Sequence, residues 1–133
     1  MEPSLYKTIK LENGQTLSIL DISRKISDDA FVVKMKALID IKIEPEMLSN
    51  ILPSGVSFED IQTALGDNIA YEYEMERNFI LNHEKDELFQ ELVDTFLKNL
   101  GQYVAKPNFP GKVVIKAYKD YVKNLKRLSS YTD

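Results

Sequence analysis

Five lysines near the C-terminus have a spacing that could bind an anion. They recur at steps of four, three, four and three residues: Lys112, Lys116, Lys119, Lys123 and Lys126. On a helix this spacing places all five on one face, opposite an apolar stripe. Residues 111–128 hold six cations and one anion, whereas the rest of the chain holds 11 cations and 20 anions. The segment therefore carries +5 in a protein whose net charge is −4.

A basic helix face can bind an acidic protein, nucleic-acid phosphates or an anionic membrane surface. The acidic total charge and the lack of a recognisable nucleic-acid-binding motif count against nucleic acid. We expect the core to bury the apolar stripe of this helix, which counts against a membrane. An unknown protein partner is therefore the leading hypothesis. Nucleic-acid binding through the same lysines is one alternative, and a face that is merely solvated is another.

Three other cations could orient a small anionic ligand. Arg24 and Lys25 lie in the polar segment 23–29, which predicts a loop between strands, and loops often carry binding residues. Arg77 lies in a later alternating segment. A small-molecule-binding domain is thus a second hypothesis, with a pocket between the helices and the sheet. Arg24, Arg77 or a buried tyrosine would orient the ligand there.

The sequence predicts no catalytic residue, no metal site and no cofactor. The chain has no cysteine and one histidine, His83. This residue lacks the second histidine, four positions away, that a helical zinc motif needs. No serine stands in a Gly-x-Ser-x-Gly elbow, and no glycine-rich loop could hold phosphates. We therefore expect a protein that is not an enzyme.

Three glutamates on one segment, Glu72, Glu74 and Glu76, could hold a hard cation. An earlier alternating segment carries a matching row of lysines: Lys34, Lys36 and Lys42. If the two segments are neighbouring antiparallel strands, the rows form cross-strand ion pairs. We expect this arrangement rather than a cation site.

Alternation of apolar and polar residues predicts an antiparallel sheet. Residues 5–11 and 16–22 flank Asn13-Gly14, the preferred pair for a two-residue type I′ hairpin turn. Residues 30–43 alternate over their whole length, which is typical of a strand with one face in water. Residues 69–81 also alternate. We prefer a strand to a helix there, because helical spacing would scatter the tyrosines and glutamates.

Caps and apolar stripes predict the helices. Ser57 and Asp60 begin a short helix that ends at Gly66, and Asn82 is the expected N-cap of a longer one. The longer helix has a wide apolar stripe: Leu88, Phe89, Leu92, Val93, Phe96, Leu97, Leu100 and Val104. The last helix is expected at about residues 112–128 with five apolar residues pointing inward: Val114, Tyr118, Tyr121, Leu125 and Leu128.

The element order β-β-β-α-β-α-α predicts an α+β fold. We expect a roughly four-stranded antiparallel sheet with a C-terminal helical pair packed on one face. The length fits one domain over residues 1–133, with loose tails at 1–4 and 129–133. The heptad-like spacing of the last helix makes a homodimer possible. No apolar run reaches the roughly 20 residues of a membrane span, and without a leader pattern we expect a cytoplasmic protein.

Overall fold

The first two strands form the predicted hairpin, but its turn belongs to a different class. The computed structural model describes residues 3–131 and the side chains of residues 3–128. Strand β1 spans Ser4–Lys10 and β2 spans Thr16–Asp21. The Leu11 N–H donates to the Gln15 carbonyl and closes a three-residue loop. Inside the loop the Gly14 N–H donates to the Leu11 carbonyl, and Gly14 has a φ of 88°. The predicted type I′ turn is wrong, because it needs a positive φ at Asn13 as well.

Strands β2 and β3 (Arg24–Ser27) follow one another along β4 (Ala30–Lys42) and are separated by a short break at which a serine side chain replaces a backbone hydrogen-bond partner. Strand β3 pairs with β4. Arg24 and Lys25 keep the register that β2 uses, and the register shifts before Ser27. Between them the buried Ser23 hydroxyl accepts a hydrogen bond from the Lys34 N–H. The predicted loop is therefore wrong over β3. Every residue of β3 is exposed, so the segment has no apolar alternation by which a strand could be recognised.

Strands β4 and β5 (Asn68–Leu81) pair with each other and confirm both alternating segments as strands. One face of β4 is buried: Val33, Met35, Ala37, Ile39 and Ile41. On the other face the predicted ion pairs form. Lys34 Nζ lies 3.2 Å from Glu74, and Lys36 Nζ lies 3.2 Å from Glu72. Lys34 Nζ also lies 3.9 Å from Glu76, so two lysines face the three glutamates. The expected cross-strand pairing is confirmed for Lys34 and Lys36, whereas Lys42 makes no ion pair within the described residues.

Backbone contacts group the chain into two compact units, each built from two separate segments. The first comprises Met1–Asp40 and Ala70–Lys106, and the second comprises Ile41–Ile69 and Pro107–Asp133. Together they confirm an α+β chain with an antiparallel sheet and two helices at the C-terminus.

In the first unit, α2 (Lys85–Val104) packs its predicted stripe on the sheet. The Tyr6 ring meets Phe89 edge-on at 4.8 Å between centroids, and the Tyr73 ring lies 5.6 Å from Phe96. The core of this helix is aliphatic and aromatic: Phe89, Leu92, Val93, Phe96 and Val104. Helical periodicity therefore located the buried side of α2 correctly.

Two asparagines bind distant backbone groups that no local pattern predicts, although Asn13 Oδ1 also accepts the nearby Gln15 N–H at 3.0 Å. The Asn82 side chain donates to the Asp28 carbonyl at 3.2 Å, so the predicted N-cap is wrong; a 3₁₀ turn, Asn82–Glu84, precedes α2. The Asn13 amide donates to the carbonyls of Val104 and Lys106, at 2.8 and 2.9 Å. These bonds tie the hairpin loop to the end of α2.

The second unit contains a 3₁₀ helix (Pro45–Leu48), α1 (Phe58–Leu65) and α3 (Phe109–Tyr131). The caps of α1 are as predicted, because Ser57 and Asp60 each accept the other's backbone N–H. Helix α3 begins three residues before its expected start.

The structure covers part of the two expected tails. Ser4 is the first residue of β1, and the backbone of 129–131 continues α3. Residues 1, 2, 132 and 133 lie outside the described residues.

Candidate functional site

The five lysines of α3 lie on one side of the helix and are all exposed. We call this set the lysine face: Lys112, Lys116, Lys119, Lys123 and Lys126. Lys116 Nζ lies 4.0 Å from Asp120, one turn away, and both side chains are mostly exposed. Within residues 3–128, Lys112, Lys119 and Lys123 make no ion pair. Three of the cations of α3 are therefore available to an external anion.

Close packing of the first turns of α3 fixes the direction of the lysine face. Phe109, Val114 and Ile115 are buried. At Gly111 an added Cβ would lie 2.4 Å from the Met47 carbonyl oxygen, so only glycine allows α3 to approach the 3₁₀ helix this closely. The lysines at this end of the helix are thus carried on a well-packed support.

A shallow groove of about 400 Å³ runs along the lysine face. Ile51 and Ile115 supply its apolar lining, and Lys112, Lys116 and Lys119 supply its charged lining. Such a groove can take an apolar side chain flanked by carboxylates. Ile51 was missed by the sequence analysis, because it lies about 60 positions before α3 and no local pattern connects the two.

The apolar stripe of α3 is buried only at its beginning. Val114 is buried and Tyr118 is half-buried. The other three residues that were expected to point inward are exposed: Tyr121 by 39%, Leu125 by 48% and Leu128 by 63%. The expectation was wrong for these three residues. The helix therefore presents an apolar face as well as a basic one.

The other candidate binding residues, Arg24, Lys25 and Arg77, belong to the first unit. Arg24 and Lys25 are exposed neighbours in β3, so their side chains point to opposite sides of the strand. Arg77 is exposed in β5, and its guanidinium donates to the Glu76 carbonyl at 2.8 Å. The structure thus brings together the five lysines, but it does not join Arg24 and Lys25 into one cluster.

A half-buried ion pair in the first unit was not expected from the sequence. Lys85 Nζ lies 3.3 Å from the Asp21 carboxylate and 5.4 Å from the centre of the Phe31 ring. The same carboxylate accepts a hydrogen bond from the Ser23 N–H at 2.9 Å. Partial burial raises the pKa of Asp21, but the bonds from Ser23 and the charge of Lys85 outweigh it and hold that pKa below 3.8.

His83 is exposed, with Nε2 3.5 Å from Glu84. Over the described part of the chain, no group of three or more His, Asp or Glu side chains is placed to hold a metal ion. In that same part, no helix combines the length and the apolar character needed to cross a membrane.

Comparison of the chain with protein-family models, with curated proteins and with solved structures gave no match.

Proposed function

We propose that this protein is a non-enzymatic interaction module whose lysine face binds an acidic segment of another protein. The observation that supports the proposal is the exposure of five lysines on one side of α3, several of them without an internal ion pair. A cytoplasmic location is part of the proposal, because a chain without cysteine fits a reducing compartment.

The groove beside the lysine face suggests the chemistry of the partner. Its isoleucines favour an apolar side chain, and its lysines favour carboxylates on both sides of that side chain. Each exposed charge pair contributes only about 0.2–1 kcal/mol, so several must act together with the apolar contact. A short acidic peptide with one central leucine has this combination.

The test uses synthetic peptides and charge reversal. Fluorescence anisotropy would follow binding of a labelled glutamate-rich peptide with a central leucine to the wild type and to the double variant Lys116→Glu with Lys123→Glu. We expect the variant to bind at least about tenfold more weakly, which is about 1.4 kcal/mol. Replacing the leucine of the peptide by serine should also weaken binding to the wild type.

The matched control reverses two exposed lysines outside α3, Lys10→Glu with Lys98→Glu, which changes the net charge by the same amount. It should bind nearly as well as the wild type. Equal binding by wild type and the α3 variant would refute the proposal. Preference for a single-stranded oligonucleotide over the peptide, with a steep loss of affinity in salt, would instead identify a nucleic-acid-binding protein.

A further inference from the structure

The last three turns of α3 carry an exposed apolar face that is distinct from the lysine face. Four residues at steps of three, four and three form it, and we call them the α3 seam: Tyr118, Tyr121, Leu125 and Leu128. Tyr118 is half-buried and the other three are exposed. This spacing is that of the a and d positions of a coiled coil. The face can therefore pack against another helix with the same pattern.

The positions that flank the seam carry no charge. In heptad terms they are Ala117, Val122 and Asn124. In most coiled coils these e and g positions hold lysines or glutamates, and like charges there prevent pairing. Helix α3 has six cations between residues 111 and 128, yet each of them lies at an outer position of the heptad. Two copies of the seam can therefore meet without bringing like charges together.

The placement of the cations also argues against a lipid surface as the occupant of the seam. A helix that lies on an anionic membrane has its lysines beside the apolar face, where the ammonium groups reach the headgroups. On α3 the lysine face is opposite the seam, so its ammonium groups would point into water. A partner with an acidic surface is equally unsuitable, because the seam and its flanks offer it no cation.

We propose that a second copy of this chain covers the α3 seam, forming an isologous helix pair. The seam of one copy packs against the same neutral, apolar seam of the other, and this contact buries Leu125 and Leu128. The pairing region, residues 118–128, covers only about three helical turns. The dimer is consequently weak and depends on protein concentration.

Dimerisation through the seam has a consequence for binding. Both lysine faces stay outward, so the dimer offers two of them to one partner. A partner with two acidic segments would gain avidity that a monomer cannot provide. Self-association itself does not depend on the proposed function of the lysine face.

Sedimentation velocity of the full chain tests the proposal. The mass of the wild type should rise from 15.3 kDa towards twice that value as the protein concentration increases from about 10 to about 500 μM. Leu125→Glu places a charge at the centre of the seam and should raise the dissociation constant at least about tenfold. Because about half of Leu125 is exposed, we expect the variant to fold, which its circular dichroism would check.

The control is the double variant Lys116→Glu with Lys123→Glu, which changes the lysine face and leaves the seam intact. It should dimerise like the wild type while losing the acidic peptide, and Leu125→Glu should do the opposite, so the two proposals fail separately. A wild type that stays monomeric over this range overturns the inference, as does a dimer that Leu125→Glu leaves unchanged. Binding of the monomer to phosphatidylserine vesicles that is lost in Leu125→Glu would assign the seam to a membrane instead.

Discussion

The Asp21 side chain stabilises the break between β2 and β3. Its carboxylate accepts the Ser23 N–H, just where β2 ends, and pairs with Lys85 on α2. Ser23 in turn accepts the Lys34 N–H, so the β4 backbone donor opposite the break keeps a partner. The Ser23 N–H and the Lys34 N–H therefore both keep a hydrogen-bond partner at the break. A buried N–H without a partner would destabilise the fold by about 1–3 kcal/mol.

The charge of Asp21 should stabilise the fold in a pH-dependent way. Its pKa is lowered in the folded state, so the stabilisation is present above the unfolded pKa and is lost as the pH falls through the folded pKa. We expect Asp21→Asn to destabilise the protein by about 1 kcal/mol at neutral pH. The difference from the wild type should shrink below pH of about 4. Urea unfolding at a series of pH values measures both effects.

Asp86→Asn is the control for this experiment, because Asp86 also approaches Lys85, at 3.9 Å, but is fully exposed. Its effect should stay below about 0.5 kcal/mol. A difference between Asp21→Asn and wild type that does not change between neutral and acidic pH would mean that the carboxylate acts without its charge.

Phe79 is strained and exposed at the same time. It has a φ of 58°, the only positive φ of a non-glycine residue in the described chain, and 80% of the residue is exposed. A left-handed conformation costs about 1–2 kcal/mol for a residue with a Cβ. We expect Phe79→Asn to stabilise the fold by up to about 1 kcal/mol, because asparagine tolerates this conformation better.

Thermal unfolding measures the effect, with Leu81→Asn as the comparison. Leu81 is also exposed and lies in the same strand, but its φ is −69°. It should gain nothing from asparagine. A loss of stability in Phe79→Asn would show that the phenyl ring contributes more by packing than its backbone conformation costs.

At the scale of elements, α3 depends on one glycine. In a helix, replacing glycine by alanine normally stabilises by up to about 1 kcal/mol. At Gly111 the new Cβ would lie 2.4 Å from a backbone oxygen of the 3₁₀ helix. We therefore expect Gly111→Ala to destabilise by about 1–3 kcal/mol. The sign of the change, read from urea unfolding, is the test.

Gly101→Ala in α2 is the matched control. The nearest atoms to its added Cβ belong to Leu97, at 3.9 Å, so the methyl group has room. This variant should be as stable as the wild type or slightly more stable. If Gly111→Ala behaved in the same way, the close approach of α3 to the 3₁₀ helix would not be a constraint.

Elements whose signals are local were predictable from the sequence. Strand β4 and the first half of β5 alternate, and α1 has both residues of its capping box within four positions. The hairpin turn was not predictable at the same level. Asn13-Gly14 is compatible with two loop classes, and the Asn13 side chain bonds to carbonyls more than 90 positions away. A local sequence pattern contains no information about contacts between residues so far apart in the chain.

The surfaces of α3 were likewise predictable only where a local pattern determines them. The spacing of the lysines correctly predicted one exposed face on α3. The apolar stripe correctly showed which side of α3 is apolar, but it did not show how far along the helix that side is buried. Tyr121, Leu125 and Leu128 were expected to be buried because periodicity gives the direction of a side chain and not the length of the surface that it meets.

At the scale of the whole molecule, the net charge of −4 conceals an uneven distribution. Residues 111–128 carry +5 and the rest carries −9. Under the proposed function, an acidic segment binds at the positive α3, and an anion that extends past this helix meets a remainder of the chain whose net charge is negative. This favours short acidic segments over long polyanions.

The salt dependence of binding should show this limit directly. Lys112 and Lys126 are separated by about 21 Å along the helix at about 1.5 Å per residue, which an extended chain of about six or seven residues spans. We expect the slope of the logarithm of the binding constant against that of the salt concentration to rise between oligoglutamates of about four and eight residues. It should not rise further at about sixteen residues, because no further lysines of α3 are within reach.

The slope is the appropriate quantity here, since a longer peptide binds in more registers and gains apparent affinity without any new ion pair. Lys116→Glu with Lys123→Glu should lower the plateau of the slope, whereas Lys10→Glu with Lys98→Glu should leave it in place. A slope that kept increasing with peptide length would mean that cations outside α3 take part in binding. The lysine face would then be one portion of a larger basic surface, and the interaction could not be assigned to this helix alone.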